Sequence, residues 1–201
     1  MIEKLTIGEI KNGIELSIEN AFELIADAEL LFKNERFARS YTLSQLAQEE
    51  LGKSIMLYDF YMNLKMGERS EYDFKLFRKN FRNHKWKTYE SIFIDLVRKG
   101  IGKTKSEEFK NIALSNFKNI QLNKSGHYDN LKNESLYVSL KGGSFHKPID
   151  LFTKDDVEKF MKESKAKIEF SSEHTLKWIR LDEQLGMDKE GVLAEFNTKN
   201  K

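Results

Sequence analysis

Residues 6–32 read TIGEIKNGIELSIENAFELIADAELLF, and this stretch decides the fold class. Within it Ile7, Ile10, Ile14, Ile18, Ala21, Ile25, Ala28 and Phe32 recur at steps of three or four, which puts them on one stripe of an α-helix. Thr6-Ile7-Gly8-Glu9 opens the run with a capping box: a hydroxyl at the cap and a carboxylate three residues on. The spacing predicts one helix of about 25 residues with a single buried face.

The same pattern continues outward. A second helix is expected from about Glu35 to Met66, stopped by Gly67, with Leu43, Ala47, Leu51, Ile55, Tyr58 and Met62 as its stripe. Ser70 can cap a third from about Glu71 to Lys99, ended by Gly100 and Gly102. Thr104-Lys105-Ser106-Glu107 opens a fourth that runs to about Leu122, and Thr153-Lys154-Asp155-Asp156 opens a fifth to about Leu185. Between these two, Leu136-Tyr137-Val138-Ser139-Leu140 alternates with β character and Gly142-Gly143 makes a turn. Pro148 then fixes an extended approach to the fifth helix. The expected fold is all-α, an antiparallel bundle of about five helices with a long ordered loop or short β-like excursion near residues 125–152. Nothing reads as a repeat, a low-complexity run or a linker, so residues 1–201 form one expected domain with a polar tail from about residue 188.

Composition agrees. The 201 residues contain one proline, where average usage would give about ten, and a turn-rich sandwich or barrel needs more. There is no cysteine, which removes a disulfide framework, a thiolate zinc site, iron–sulfur chemistry and a cysteine nucleophile together. The start of the chain has no apolar run of signal-peptide length, and nowhere do 18 apolar residues stand in a row. A cytoplasmic protein without a membrane span is expected. Net charge is +2, but residues 1–61 balance at −5 and residues 62–105 at +7. A basic middle points to a polyanion contact, although ordinary solvated helix faces give the same balance.

The usual enzyme signatures are missing. A di-iron bundle needs Glu-x-x-His, yet Phe81, Lys124, Gly143 and Ser171 stand three residues before the four histidines. The P-loop, the dinucleotide glycine pattern, His-Glu-x-x-His and the Gly-x-Ser-x-Gly elbow do not occur. No metal site and no cofactor are expected.

Two clusters remain. In Glu49-Glu50-Leu51-Gly52-Lys53, a rotation of about 100° per residue brings Arg39, Glu50 and Lys53 to one flank of the second helix's stripe. Glu50 and Lys53 can pair there, as a routine surface pair or as a semi-buried one. Gly52 costs a helix interior about 1 kcal/mol, which is tolerated where another backbone or a ligand comes close. The second cluster, Arg78-Lys79-Asn80-Phe81-Arg82-Asn83-His84-Lys85-Trp86-Lys87, holds a histidine among cations and amides. Such groups bind a phosphodiester and move a proton on it, although a basic helix also carries histidine as surface decoration. On a helix Asn80, His84 and Lys87 make one stripe and Arg78 and Arg82 another. Arg78 and His84 lie about 120° apart on an ideal helix, so a bend or a second subunit is needed to bring both to one phosphate.

Together the blocks resemble the AbiV-type abortive-infection proteins of the HEPN superfamily. The resemblance rests on Asn20-Ala21, Asp27-Ala28, Ala38-Arg39-x-Tyr41-x-Leu43, Glu49-Glu50-Leu51-Gly52-Lys53, Phe81-Arg82-Asn83-His84-Lys85-x-Lys87, Leu136-Tyr137-Val138 and Pro148. It implies an all-α HEPN-like bundle and an antiphage protein that cuts RNA without a metal ion, leaving a 2′,3′-cyclic phosphate, and so shuts down translation. HEPN nucleases carry an arginine, four to six residues, then a histidine, which Arg78 and His84 satisfy. They take the catalytic positions. Lys79 stands where a small polar residue is usual, which leaves Arg82 open as the alternative arginine. Arg39, Glu50, Lys53, Asn80, Arg82, Asn83 and Lys87 are the expected supporting or RNA-binding residues. The resemblance further implies a homodimer with RNA as substrate and a phage-encoded protein as trigger. The alternative is a non-catalytic helical protein that blocks the translation machinery or a phage protein by contact.

Overall fold

The first helix forms as its spacing predicts. The computed structural model describes residues 5–65, 71–100 and 107–185. In it α1 spans Ile7–Lys33, and Thr6 caps it: the Glu9 N–H donates to the Thr6 hydroxyl at 3.2 Å, and the Thr6 N–H donates to the Glu9 carboxylate at 2.7 Å. Ile10, Ile14, Ile18, Ala21, Ile25 and Ala28 are buried, while Ile7 at the open end is exposed. Glu35 takes a left-handed φ of 59°, which turns the chain and starts α2 at Phe37 rather than at Glu35.

Helix α2, Phe37–Lys65, is the centre of the fold, packed by α1, α4, α6 and α7. The expected stripe is only part of what it buries. Ser40, Ser44, Gln45, Gln48 and Ser54 are buried as well, because small or uncharged side chains let neighbours close in on several sides, and Glu49 is buried among them. Gly52 marks the tightest approach: a Cβ there would sit 2.0 Å from the Lys87 carbonyl oxygen of α4. The sequence-based reading of Gly52, close passage of another backbone, is what the structure contains.

The expected third helix is two. Helix α3, Glu71–Phe81, and α4, His84–Gly100, are separated by two residues. Asn83 makes the break. Its N–H donates to the Asn80 carbonyl at 2.8 Å, closing α3, and its Oδ1 accepts from the Lys85 N–H at 2.9 Å, capping α4. Helix α5 spans Glu107–Lys124 and lies along α4; Asn116 donates to the Ile92 carbonyl and Asn123 to the Lys85 carbonyl, both at 2.7 Å. The expected signals at Gly67, Ser70, Gly102 and Thr104–Ser106, and the tail from residue 188, lie outside the described residues.

The excursion near 125–152 is also corrected. It contains a ten-residue helix, α6, at His127–Leu136, before the antiparallel pair β1 (Ser139–Lys141) and β2 (Ser144–His146). Leu136 ends a helix instead of starting a strand. Gly142 and Gly143 form the turn with φ of 56° and 81°, as expected. Lys147 is extended before Pro148, which opens a short 3-10 turn to Asp150. Helix α7, Lys154–Leu185, follows, with Asp156 donating its N–H to the Thr153 hydroxyl at 3.2 Å.

The fold is thus all-α, with seven α-helices and one small hairpin among the described residues. Its core runs along α1, α2 and α7, from Ile10, Ile14, Phe60 and Tyr61 through Ala21, Ala47, Leu51 and Ile168 to Tyr41 and Val157. No helix among the described residues is long and apolar enough to cross a membrane.

Candidate functional site

The middle of α2 carries a carboxylate that the core does not need for packing. Glu49 is 2% exposed and three cationic or protonatable side chains converge on it. His84 Nδ1 lies 2.5 Å from Glu49 Oε2, and Lys87 Nζ lies 3.3 Å from the same oxygen. Lys132 Nζ, from α6, lies 2.6 Å from Oε1. Burial alone pushes the Glu49 carboxyl up, but hydrogen bonds from Lys132 and His84 outweigh it and hold the group below the ordinary value. The carboxylate is therefore ionised inside the protein.

His84 is placed by the break that Asn83 makes. As the first residue of α4 it hangs its ring over the edge of the bundle, with its side chain 55% exposed although Nδ1 is anchored inside. Among the described residues Nε2 has no hydrogen-bond partner. Three contacts fix the start of α4 against its neighbours: the approach at Gly52, the Asn123 bond to the Lys85 carbonyl, and Lys85 Nζ donating to the Lys124 carbonyl at 3.1 Å. An imidazole tied down at one nitrogen and open at the other can take or give a proton there. The N-terminus of α4 adds a partial positive charge beside it.

Arg78 is exposed on α3, and Arg82 is exposed in the break next to His84. A break of two residues separates Arg78 on α3 from His84 at the start of α4. It also splits the expected stripe: Asn80 stays on α3, while His84 and Lys87 lie on α4. Lys87 is buried against Glu49, and the Asn83 side chain is engaged as the cap of α4. Glu50 and Lys53 form the semi-buried ion pair, and Lys53 Nζ also lies 6.0 Å from the centre of the Phe81 ring at the end of α3. Arg39 is exposed and stands ten residues before Glu49, about 15 Å along the helix. Further along α4, burial and the nearby Asp59 push the Glu90 carboxyl up to about 7.

Glu49 and Lys132 were not among the residues expected to form the site. The signal for Glu49 was present: a helix whose Ser40, Ser44, Gln45 and Gln48 surround the apolar stripe has no large solvated face, so one carboxylate of the Glu-Glu pair must be covered. Lys132 has no local signal, since it reaches Glu49 only because α6 folds back across α2.

The family model described as AbiV, of the HEPN group, matches residues 9–169. That range contains both Glu49 and His84 and ends within α7. No curated protein and no solved structure matches the chain.

Proposed function

The chain belongs to the AbiV family of abortive-infection HEPN proteins, and from that premise we propose that it is a metal-independent endoribonuclease that stops translation in the cytoplasm of a phage-infected cell. The observation that carries the proposal is the His84 ring, anchored at Nδ1 on buried Glu49 and open at Nε2. Nε2 takes the proton of an RNA 2′-hydroxyl, and the 2′-oxygen attacks the adjacent phosphorus. The bond from phosphorus to the 5′-oxygen breaks, and that oxygen leaves with a proton from water. The proton on Nε2 returns to solvent, so the products are a 2′,3′-cyclic phosphate and a 5′-hydroxyl. Arg78 or Arg82 stabilises the charge on the phosphorane with its guanidinium fork. DNA lacks the internal nucleophile and is not cut.

The proposal includes a homodimer in which the His84-bearing helices face each other. On α4, Trp86, Phe93 and Val97 are exposed on related turns. On α3, Phe77 is buried against Phe60 and Phe81 packs on Phe77, so neither adds to this exposed face.

The test is total RNA incubated with purified protein in excess chelator. The parent should yield cyclic-phosphate ends, and His84→Ala should lower the rate about 10²–10⁴-fold. The second reading, a protein that acts by binding alone, is favoured by the hairpin, where Leu140 and Phe145 pair across the strands and stay largely exposed. It takes over if His84→Ala protein still arrests phage growth as the parent does.

A further inference from the structure

We infer that Glu49 is a positioning residue for His84: it fixes the imidazole as the Nδ1–H form and so makes Nε2 the nitrogen that exchanges protons with substrate. The inference rests on the nuclease reading for its catalytic consequence, but its structural content stands on the geometry around Glu49.

A neutral imidazole has two forms that differ in which nitrogen carries the hydrogen, and the hydrogen bond made by one nitrogen decides the role of the other. Glu49 Oε2 lies 2.5 Å from His84 Nδ1. A carboxylate kept ionised can only accept, so Nδ1 must donate and Nε2 is left bare. Ionisation is held from two further elements. Lys132 of α6 donates to Oε1 at 2.6 Å, and Lys87 of α4 sits 3.3 Å from Oε2. These two ammonium groups already more than offset the carboxylate's single charge. What remains for His84 is a directional acceptor more than a counter-charge, which makes the role of Glu49 one of orientation.

The burial of the cluster sharpens this. Glu49 and Lys87 are within the core, and Lys132 is mostly covered. The acceptor cannot swing away without stranding the buried Lys87 ammonium and leaving Lys132 with only Asp129, at 3.6 Å, a costly change. The ring is thus tethered to the most enclosed helix of the bundle although its own outer edge is in water. In a serine-protease triad, disturbing the orienting carboxylate costs about 10⁴ in kcat through the wrong tautomer; the same loss of orientation is expected here.

The experiment uses the full-length protein with ¹⁵N-labelled histidine, and His84→Asn identifies the His84 signals. Long-range proton–nitrogen correlations at pH 8.5 should show Nδ1 protonated and Nε2 bare. A predominant Nε2–H form, or an even mixture, overturns the inference whatever the protein does to RNA. In Glu49→Gln the amide presents a donor to one of its neighbours, so the two forms should mix. Its RNA cleavage should then fall about 10²–10⁴-fold in kcat with KM changed less than about threefold. Cleavage by a folded Glu49→Gln protein at the parental kcat refutes the inference. If that variant does not fold, the parental spectrum alone decides. A parent that cuts no RNA removes the nuclease reading and leaves the spectrum to judge Glu49.

Discussion

Replacing Gly52 by alanine tests the link between the packing of α2 on α4 and the placement of His84. In most helices this change stabilises, by about 1 kcal/mol of helix propensity. Here the new methyl would lie 2.0 Å from the Lys87 carbonyl oxygen, 2.6 Å from its carbon and 2.8 Å from its Cα. All three are backbone atoms in the first turn of α4, so no side-chain rotation relieves the clash. To reach the 3.4 Å at which ordinary contact begins, that turn must retreat by about 1.4 Å. Overpacking costs about 1–3 kcal/mol, and a clash with three backbone atoms falls in the upper part of that range, about 2–3 kcal/mol, so the net effect after the propensity gain is a loss of about 1–2 kcal/mol. For a chain of this size the melting temperature should fall by about 2–8 °C. The retreat also draws His84 away from Glu49, and a misplacement of about 1 Å costs about 10²-fold in rate. Calorimetry and RNA cleavage on the same preparation provide the readout. A Gly52→Ala protein that melts at or above the parental temperature and cuts RNA at the parental rate refutes the reasoning.

Asn83→Ala removes the cap of α4 and should cost about 1 kcal/mol, read as a melting temperature lower by a few degrees, with a larger proportional loss of cleavage. Glu90→Gln tests the carboxyl raised to about 7 by burial and Asp59. The folded protein holds a proton there that the unfolded chain releases above about 4.5, so stability from this group is present at acidic pH and lost as pH rises through about 7. The variant should therefore melt about 2–4 °C above the parent at pH 8.5 and level with it at pH 4.5; an equal gain at both pH values refutes the assignment. Lys53→Ala breaks the pair with Glu50 and the contact with Phe81, and should abolish phage defence with the melting temperature within a few degrees of the parent. A collapse of folding in that variant assigns the pair to stability alone.

The parts legible in the sequence share a cause: their signals are local. The stripe from Ile10 to Ala28, the Thr6 and Thr153 caps and the Gly142-Gly143 turn each lie within a few residues of what they determine. Gly52 was legible because a glycine in a helix needs a reason, although the sequence does not say that the reason is Lys87. The break at Asn83 was missed because the basic segment from Arg78 to Lys87 has no proline or glycine, and one asparagine both ends α3 and starts α4. Helix α6 was missed because His127–Leu136 is rich in asparagine and poor in apolar spacing. It forms through distant partners instead, Ser135 with Thr42 at 2.6 Å and Lys132 with Glu49. That one carboxylate of the Glu49-Glu50 pair is covered was legible in the small and uncharged residues beside the stripe of α2, but which helices cover it was not.

Helix α6 also sets a boundary in how the molecule opens. Its amides lie in a ten-residue helix without a side-chain cap, tied to α2 through Ser135 and Lys132, while those of α2 are enclosed on several sides. Native-state hydrogen exchange should therefore sort them far apart, α6 opening alone at low free energy and the centre of α2 exchanging only when the whole chain unfolds. Glu49 lies where a segment expected to exchange slowly meets one expected to exchange faster. Each local opening of α6 carries Lys132 away and lets water reach the carboxylate, while His84 and Lys87 stay in place on α4. The charge that orients His84 is thus guarded in part by a short helix outside the central bundle, and its protection should be lost whenever that helix opens.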